Sequence, residues 1–209
     1  MLRRTRRHLI LKCVLLASLI VLAATGVKGE ASPGRSTGGL TPRFLGYSAY
    51  FGELHQHTGY SLDGCGLPEA AILAARARGN SFIAITEHRA SLPDPAIGSL
   101  ANGCRLSQTD PAKWSTLQKL ADKYTQDGSF VVLRGFEHTR DPGHLNVFNS
   151  QDPGPLYTDL DGLYSWLAGQ PADVFAQFNH PFPLELGGMG DFDDFAFFPP
   201  AAPKIRIME

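Results

Sequence analysis

Residues 68–88 read PEAAILAARARGNSFIAITEH, a helix pattern followed directly by a strand pattern. Proline at the first position and Gly79 after the last apolar turn predict a helix over residues 68–78. The apolar run over residues 81–86 is short, which is typical of a buried strand. A chain that alternates such helices and strands is expected to form an α/β fold with a largely parallel sheet or barrel.

The rest of the chain continues this alternation. Asp110 and Pro111 suit the N-cap and first turn of a second helix, which we expect to end near residue 126. A third helix is expected over residues 158–168. Strands are predicted over residues 47–54, 130–136, 145–148, 174–178 and 205–208. With 43% hydrophobic and 19% charged residues, the composition is that of a globular chain with a core, and it excludes a disordered tail.

The N-terminal residues have the pattern of an export signal. Residues 1–29 hold six of the 19 Lys and Arg residues and none of the 20 Asp and Glu residues. The apolar run over residues 14–25 is shorter than a bilayer span, so we expect a signal peptide (1–29), a linker (30–43) and a domain over residues 44–209. General secretion and, from TRRHLI at residues 5–10, twin-arginine export both fit the pattern. An uncleaved membrane anchor is the third interpretation.

Charge and cysteine content narrow the partners and the location. Without its basic start the chain is acidic, which argues against nucleic-acid binding. We expect a periplasmic or extracellular protein with no stable membrane insertion once the signal is removed. Cleavage leaves Cys65 and Cys104, and two cysteines in an exported chain favour one disulfide. The alternative is that Cys65 is a metal ligand.

Histidines lie at or just after the ends of successive predicted strands. In α/β barrels the carboxyl ends of the strands share one face, where active sites form. His55 and His57 are two residues apart on an extended segment, so their rings point the same way and can bind one cation. A single histidine is more often a core or loop residue, but the joint pattern predicts a site for several metal ions. The histidines of this pattern are His55, His57, His88, His138, His144 and His180.

Four sequence motifs occur in the order found in a known superfamily. They are YFGELHQHT (50–58) with SLDG (61–64), IAITEH (83–88), GFEHT (135–139) with GHLNVF (143–148), and FNHP (178–181). These motifs resemble those of the PHP (polymerase and histidinol phosphatase) superfamily, and their wording is most similar to the carbaryl hydrolase-like branch. The resemblance covers residues 47–209. It implies a distorted seven-stranded α/β barrel that holds two or three divalent cations, usually zinc, manganese or iron.

The resemblance also implies a role for individual residues. His55 and His57 are expected to bind a first metal, and Glu137 to bridge it to a second. The second metal is expected to be completed by His144 and His180, and a third to be held by Asp63 and His88. Glu87 and Asn179 are expected to orient ligands rather than bind metal. The superfamily also has an Asp-x-His motif on a later strand, which does not occur before Glu209. We therefore expect an incomplete barrel and a chain that is a fragment.

The expected activity is that of a metal-dependent hydrolase. The resemblance implies a metal-bridging hydroxide that attacks a small phosphoester or an aryl carbamate or ester. Arg89 is a candidate for phosphate contact or for a surface salt bridge, and His138 for proton donation unless it points away from the site. The alternative is a non-catalytic, exported metal-binding protein that has lost part of the site. A proofreading nuclease is disfavoured by the export signal and the acidic charge.

Overall fold

A computed structural model describes residues 43–98, 104, 108–156, 159–182, 190–195 and 198–209. The expected signal peptide and the expected linker up to residue 42 lie outside these residues. Within the described ranges, no helix is both long and apolar enough to cross a membrane.

The chain folds as mixed α/β, with four helices and eight strands in the described residues. Three helices span two turns or more, and a short 3₁₀ helix (Arg89–Ser91) follows the fourth strand. In chain order the elements are β1 (Arg43–Phe44), β2 (Tyr47–Ser48), β3 (Gly52–Glu53), α1 (Pro68–Ala77), β4 (Phe82–His88), α2 (Lys113–Tyr124), β5 (Val131–Arg140), β6 (Gly143–Phe148), α3 (Leu160–Ala168), β7 (Phe175–Asn179), α4 (Phe192–Phe195) and β8 (Ile205–Met208).

Six of the strands form one sheet in the order β3-β4-β5-β6-β7-β8. Three neighbouring pairs are parallel, but β6 runs antiparallel to both β5 and β7. The expectation of a largely parallel sheet is therefore wrong at β6. Only Asp141 and Pro142 separate β5 from β6, and so short a link permits a hairpin but no parallel crossover. The expected strand over residues 47–54 is broken into β2, which pairs with β1, and β3.

The six-stranded sheet is curled into an open half-barrel. Its edge strands β3 and β8 are five strand spacings apart, which is about 24 Å in a flat sheet. His55, which follows β3, nevertheless lies 2.9 Å from Glu209, which follows β8, measured from Nδ1 to Oε2. The curl thus brings the two edges together at the end where the parallel strands finish.

The helix boundaries follow local capping. Helix α1 begins at Pro68, and Gly79 beyond its end adopts a positive φ of 87°, which glycine tolerates without strain. Helix α3 is capped by the Asp159 carboxylate, which accepts a 2.7 Å hydrogen bond from the Gly162 amide.

Helix α2 begins later than the sequence predicts. Its first residue is Lys113, and Asp110 is not its N-cap. The Asp110 carboxylate instead accepts the Ala112 amide at 2.7 Å and the hydroxyl of Tyr60, so it stabilises the turn before the helix.

The core lies between the sheet and its helices. Helix α1 contacts β4, and α2 contacts β5. The ring of Phe136 on β5 contacts Trp114 of α2 and Trp166 of α3. Side chains alternate along a strand, so Glu137 points to the opposite face of the sheet, into the concave side. The packing of Phe136 in the apolar core thus fixes the position of β5, and with it the position of Glu137.

Candidate metal centre

Charged and imidazole side chains from strands across the whole sheet, including both edges, line one cavity of about 590 Å³. His55 and His57 follow β3, His88 ends β4, and His180 follows β7, so parallel strands bring them to the same end. Because β6 is antiparallel, its first residues lie at that end too, and His144 pairs with Thr139 of β5. The lining residues are His55, His57, Asp63, His88, Glu137, Thr139, His144, His180 and Glu209.

Glu137 lies at the centre of this cavity, with only 1% of its side chain exposed. Its two oxygens face different imidazoles. Oε1 lies 3.4 Å from Nε2 of His55, 3.3 Å from Nδ1 of His144 and 3.6 Å from Nε2 of His180. Oε2 lies 3.4 Å from Nε2 of His57 and 2.7 Å from Nδ1 of His88. The His55–His57 pair thus spans both oxygens, whereas His144 and His180 both face Oε1.

The ionisation of Glu137 follows from these neighbours. Burial alone raises the pKa of a carboxyl group. Hydrogen bonds from His144, His55 and His88, and from the Asn179 amide, outweigh burial and hold the pKa of Glu137 far below its ordinary value. The carboxylate is therefore charged at every physiological pH, as a metal ligand must be.

Four groups of three side chains place their donor atoms within 4.8 Å of one another. The donors are imidazole nitrogens and carboxylate oxygens, which bind divalent metal cations. Two groups share Glu137. The third adds His57 to the expected Asp63 and His88, and the fourth contains Glu209. The groups are His55–His57–Glu137, Glu137–His144–His180, His57–Asp63–His88 and His55–His180–Glu209.

The two rings of the His-x-His pair face each other through their Nε2 atoms. These atoms are 2.9 Å apart, and the other ring nitrogens face carboxylates. Nδ1 of His55 lies 2.9 Å from Glu209 Oε2, and Nδ1 of His57 lies 3.2 Å from Asp63 Oδ1. Carboxylates only accept hydrogen bonds, so each Nδ1 carries a proton. In the neutral rings both Nε2 lone pairs then converge, an arrangement that needs a proton or a cation between them.

The pKa values of three cavity histidines shift in different directions. Burial lowers the pKa of His55, but hydrogen bonds to Glu137 and Glu209 outweigh it and raise the pKa. The pKa of His88 is raised in the same way by Glu137 and Asp63. For His57, burial and the neighbouring His88 lower the pKa. A cation entering the cavity therefore competes with protons on His55 and His88.

Asn179 and Glu87 lie outside the cavity lining and support it. The Asn179 amide donates to Glu137 Oε1 at 3.0 Å. In the part of the chain that the structure describes, Glu87 bonds to a backbone amide and hydroxyls rather than to imidazoles: it accepts the Thr58 amide at 3.0 Å and the Ser61 hydroxyl at 2.5 Å. The same Ser61 oxygen accepts the His88 amide at 2.9 Å. Glu87 thus fixes the loop between His57 and Asp63, and its burial raises its pKa.

Arg89 and His138 do not line the cavity. The Arg89 Nε donates to the carbonyls of Pro153, at 2.9 Å, and Gly154, at 2.7 Å. It therefore ties down a loop. His138 is 2% exposed and alternates with Glu137 along β5, so it points to the opposite face of the sheet. Burial lowers the pKa of His138 to about 4.

Cys65 and Cys104 are joined by a disulfide, with their Cα atoms 5.5 Å apart. The sulfur of Cys65 is thus not available as a metal ligand.

Sequence reasoning missed Thr139 and Glu209. The Thr139 hydroxyl donates to Glu137 Oε2 at 3.1 Å and lies 2.6 Å from Nδ1 of His88. Glu209 follows the predicted strand over residues 205–208, so the rule that led to the histidines also applied to it.

Comparison with models of known protein families gives no match, and comparison with curated proteins gives none.

Proposed function

We propose that this chain is a metal-dependent hydrolase of the PHP type that acts on a small phosphoester or an aryl carbamate or ester. The observation that carries the proposal is the pair of Nε2 atoms of His55 and His57, 2.9 Å apart and each 3.4 Å from Glu137. Two imidazole nitrogens and one buried carboxylate form a donor set typical of a divalent cation.

The wider arrangement supports more than one cation. Glu137 belongs to two ligand groups: its Oε1 faces His144 and His180 as well as His55, and its Oε2 faces His57. Divalent cations in such a centre supply Lewis acidity, which activates a water molecule and stabilises negative charge developing on the substrate. The residues of the chain orient the ligands: Asn179 and Thr139 donate hydrogen bonds to the carboxylate of Glu137 and fix its orientation.

The cavity opens to solvent and suits a small molecule. The expected export signal would put the activity in the periplasm or outside the cell. The Cys65–Cys104 disulfide supports an oxidising location. The acidic charge of the chain beyond residue 29 supports a partner other than nucleic acid.

A second candidate is a non-catalytic, exported metal-binding protein. The observation that favours it is the cavity lining, which among the described residues contains no Lys or Arg to bind a phosphate. Every lining residue is a histidine, an acid or Thr139, as metal binding alone requires.

Metal analysis combined with hydrolysis assays separates the two. The full chain is loaded with Zn²⁺, Mn²⁺ or Fe²⁺ and tested on aryl phosphates, aryl carbamates and aryl esters, beside Glu137→Gln and the control His138→Ala. Turnover that requires metal and is lost only in Glu137→Gln supports the hydrolase. Metal binding without turnover of any substrate favours the second candidate, and a chain that binds no metal refutes both.

A further inference from the structure

Glu209 occupies a special position in the half-barrel. It follows β8, at the edge of the sheet opposite β3, yet its Oε2 lies 2.9 Å from Nδ1 of His55. Its side chain is 43% exposed and lines the cavity. It is the acid that joins the far edge of the sheet to the His-x-His pair.

The contact determines which nitrogen of His55 is free. A neutral imidazole has one N–H donor and one lone pair, and the carboxylate of Glu209 can only accept. The proton therefore lies on Nδ1, and the lone pair of Nε2 points to Glu137 and His57, 3.4 and 2.9 Å away. This assignment follows from the hydrogen-bond partners.

His57 has the same arrangement with a different acid. Its Nδ1 faces Asp63 Oδ1 at 3.2 Å, and its Nε2 faces Glu137 Oε2 at 3.4 Å. Asp63, in the loop after β3, thus holds the ring of His57, and Glu209, which follows β8, holds the ring of His55. Metal-binding histidines generally donate their second nitrogen to such an acceptor, which fixes the ring and raises its basicity.

We propose that Glu209 is a positioning residue for the metal centre: its carboxylate holds the N–H of His55 Nδ1 and so directs Nε2 to the cation. This role rests on the proposed metal site. It gives Glu209 a function that is distinct from direct coordination, although Glu209 also lies close enough to His180 to form a ligand group with it and His55.

Zn²⁺ affinity and ring protonation together test the role. Zn²⁺ affinity is measured by competition with a chromophoric chelator for wild type, Glu209→Ala and Glu209→Gln. The control is Glu69→Ala. The Glu69 side chain is 42% exposed, as Glu209 nearly is, and it contacts Lys123 outside the cavity lining. Loss of a carboxylate behind a ligating histidine lowers metal affinity about 10- to 100-fold. We expect this loss in Glu209→Ala, partial rescue in Glu209→Gln, whose amide oxygen still accepts, and an unchanged number of bound ions in both. Long-range ¹H–¹⁵N spectra of the Zn²⁺-loaded wild type should show His55 protonated at Nδ1.

Distinct outcomes contradict the role and the site. Equal affinity in Glu209→Ala and Glu69→Ala, or His55 protonated at Nε2, overturns the positioning role while leaving the metal site intact. One bound ion fewer in both Glu209 variants shows that Glu209 is a ligand and also overturns it. A wild-type chain that binds no Zn²⁺ refutes the proposed metal site itself.

Discussion

Replacing Glu137 by glutamine tests the metal centre at the side chain that five imidazoles surround. All five have a nitrogen within 3.6 Å of its carboxylate, and the side chain is 1% exposed. Glutamine keeps the shape and one oxygen but removes the charge. Its NH₂ group also meets a donor in either orientation, Asn179 at the Oε1 position or Thr139 at the Oε2 position. The variant therefore loses a charged ligand and gains a conflict between two donors.

The expected loss follows from the burial of the charge. Removing one partner of a buried ion pair costs about 3–5 kcal/mol, because the remaining charge stays uncompensated. At 1.4 kcal/mol for each factor of ten, metal affinity should fall roughly 10²- to 10⁴-fold. Chelator competition with Zn²⁺ and Mn²⁺ measures this directly, and elemental analysis gives the number of ions bound.

Glu87→Gln is the matched control. Glu87 is as buried as Glu137, and the chemical change is the same, but its oxygens accept from Thr58 and Ser61 instead of facing imidazoles. Glutamine meets donors there too, from Thr58 and Ser61, but the change removes no charge from the cavity lining. We expect its metal affinity to fall by less than about tenfold, the value of one hydrogen bond. Equal affinities in Glu137→Gln, Glu87→Gln and wild type would refute the metal centre as described.

Further predictions concern metal content and stability. His57→Ala should lower the number of bound ions measured by elemental analysis, whereas His138→Ala should not, because His138 lies on the other face of β5; equal losses would contradict this. Zn²⁺ at 100 times its Kd should stabilise the fold by about 2.7 kcal/mol and raise Tm by about 5–11 °C in calorimetry, reversed by EDTA. An unchanged Tm would exclude a site formed only on folding. Breaking the Cys65–Cys104 disulfide with Cys104→Ser should cost about 4 kcal/mol in urea unfolding, since it closes a loop of 39 residues; an unchanged midpoint would argue against this constraint.

The sequence predicts those features of the fold that depend on local pattern. The apolar runs before His88 and before Asn179 are short and bounded by polar residues, and β4 and β7 lie within two residues of the predictions. Because histidine has few structural reasons to recur at strand ends, the five histidines of the cavity could also be proposed before their distances were known, whereas Asp63 and Glu137 were assigned through the family resemblance.

Other features depend on distant pairing. Strand β5 continues through the polar residues from Glu137 to Arg140, where no apolar pattern predicts a strand; β6 holds them by antiparallel pairing. The reversal of β6 was open to prediction from the Asp141–Pro142 turn, but only once β5 is known to reach it. The contact of His55 with Glu209 spans 154 residues of sequence and results from the curl of the whole sheet. No local pattern carries that information.

The curl and the metal centre depend on each other. An edge strand lacks a neighbour on one side, and β3 is only two residues long, so ladder hydrogen bonds alone hold it weakly. At the cavity end, the contact of His55 with Glu209 links this edge to β8, and Glu137 between them attracts imidazoles from β3, β4, β6 and β7. A divalent cation held by His55 and Glu137 would replace shared protons with direct bonds between the β3 edge and β5, and Glu209 would keep the β8 edge attached through Nδ1 of His55. A substitution in the cavity therefore changes the fold as well as the affinity, and only its difference from an equally buried or equally exposed control reports on the metal.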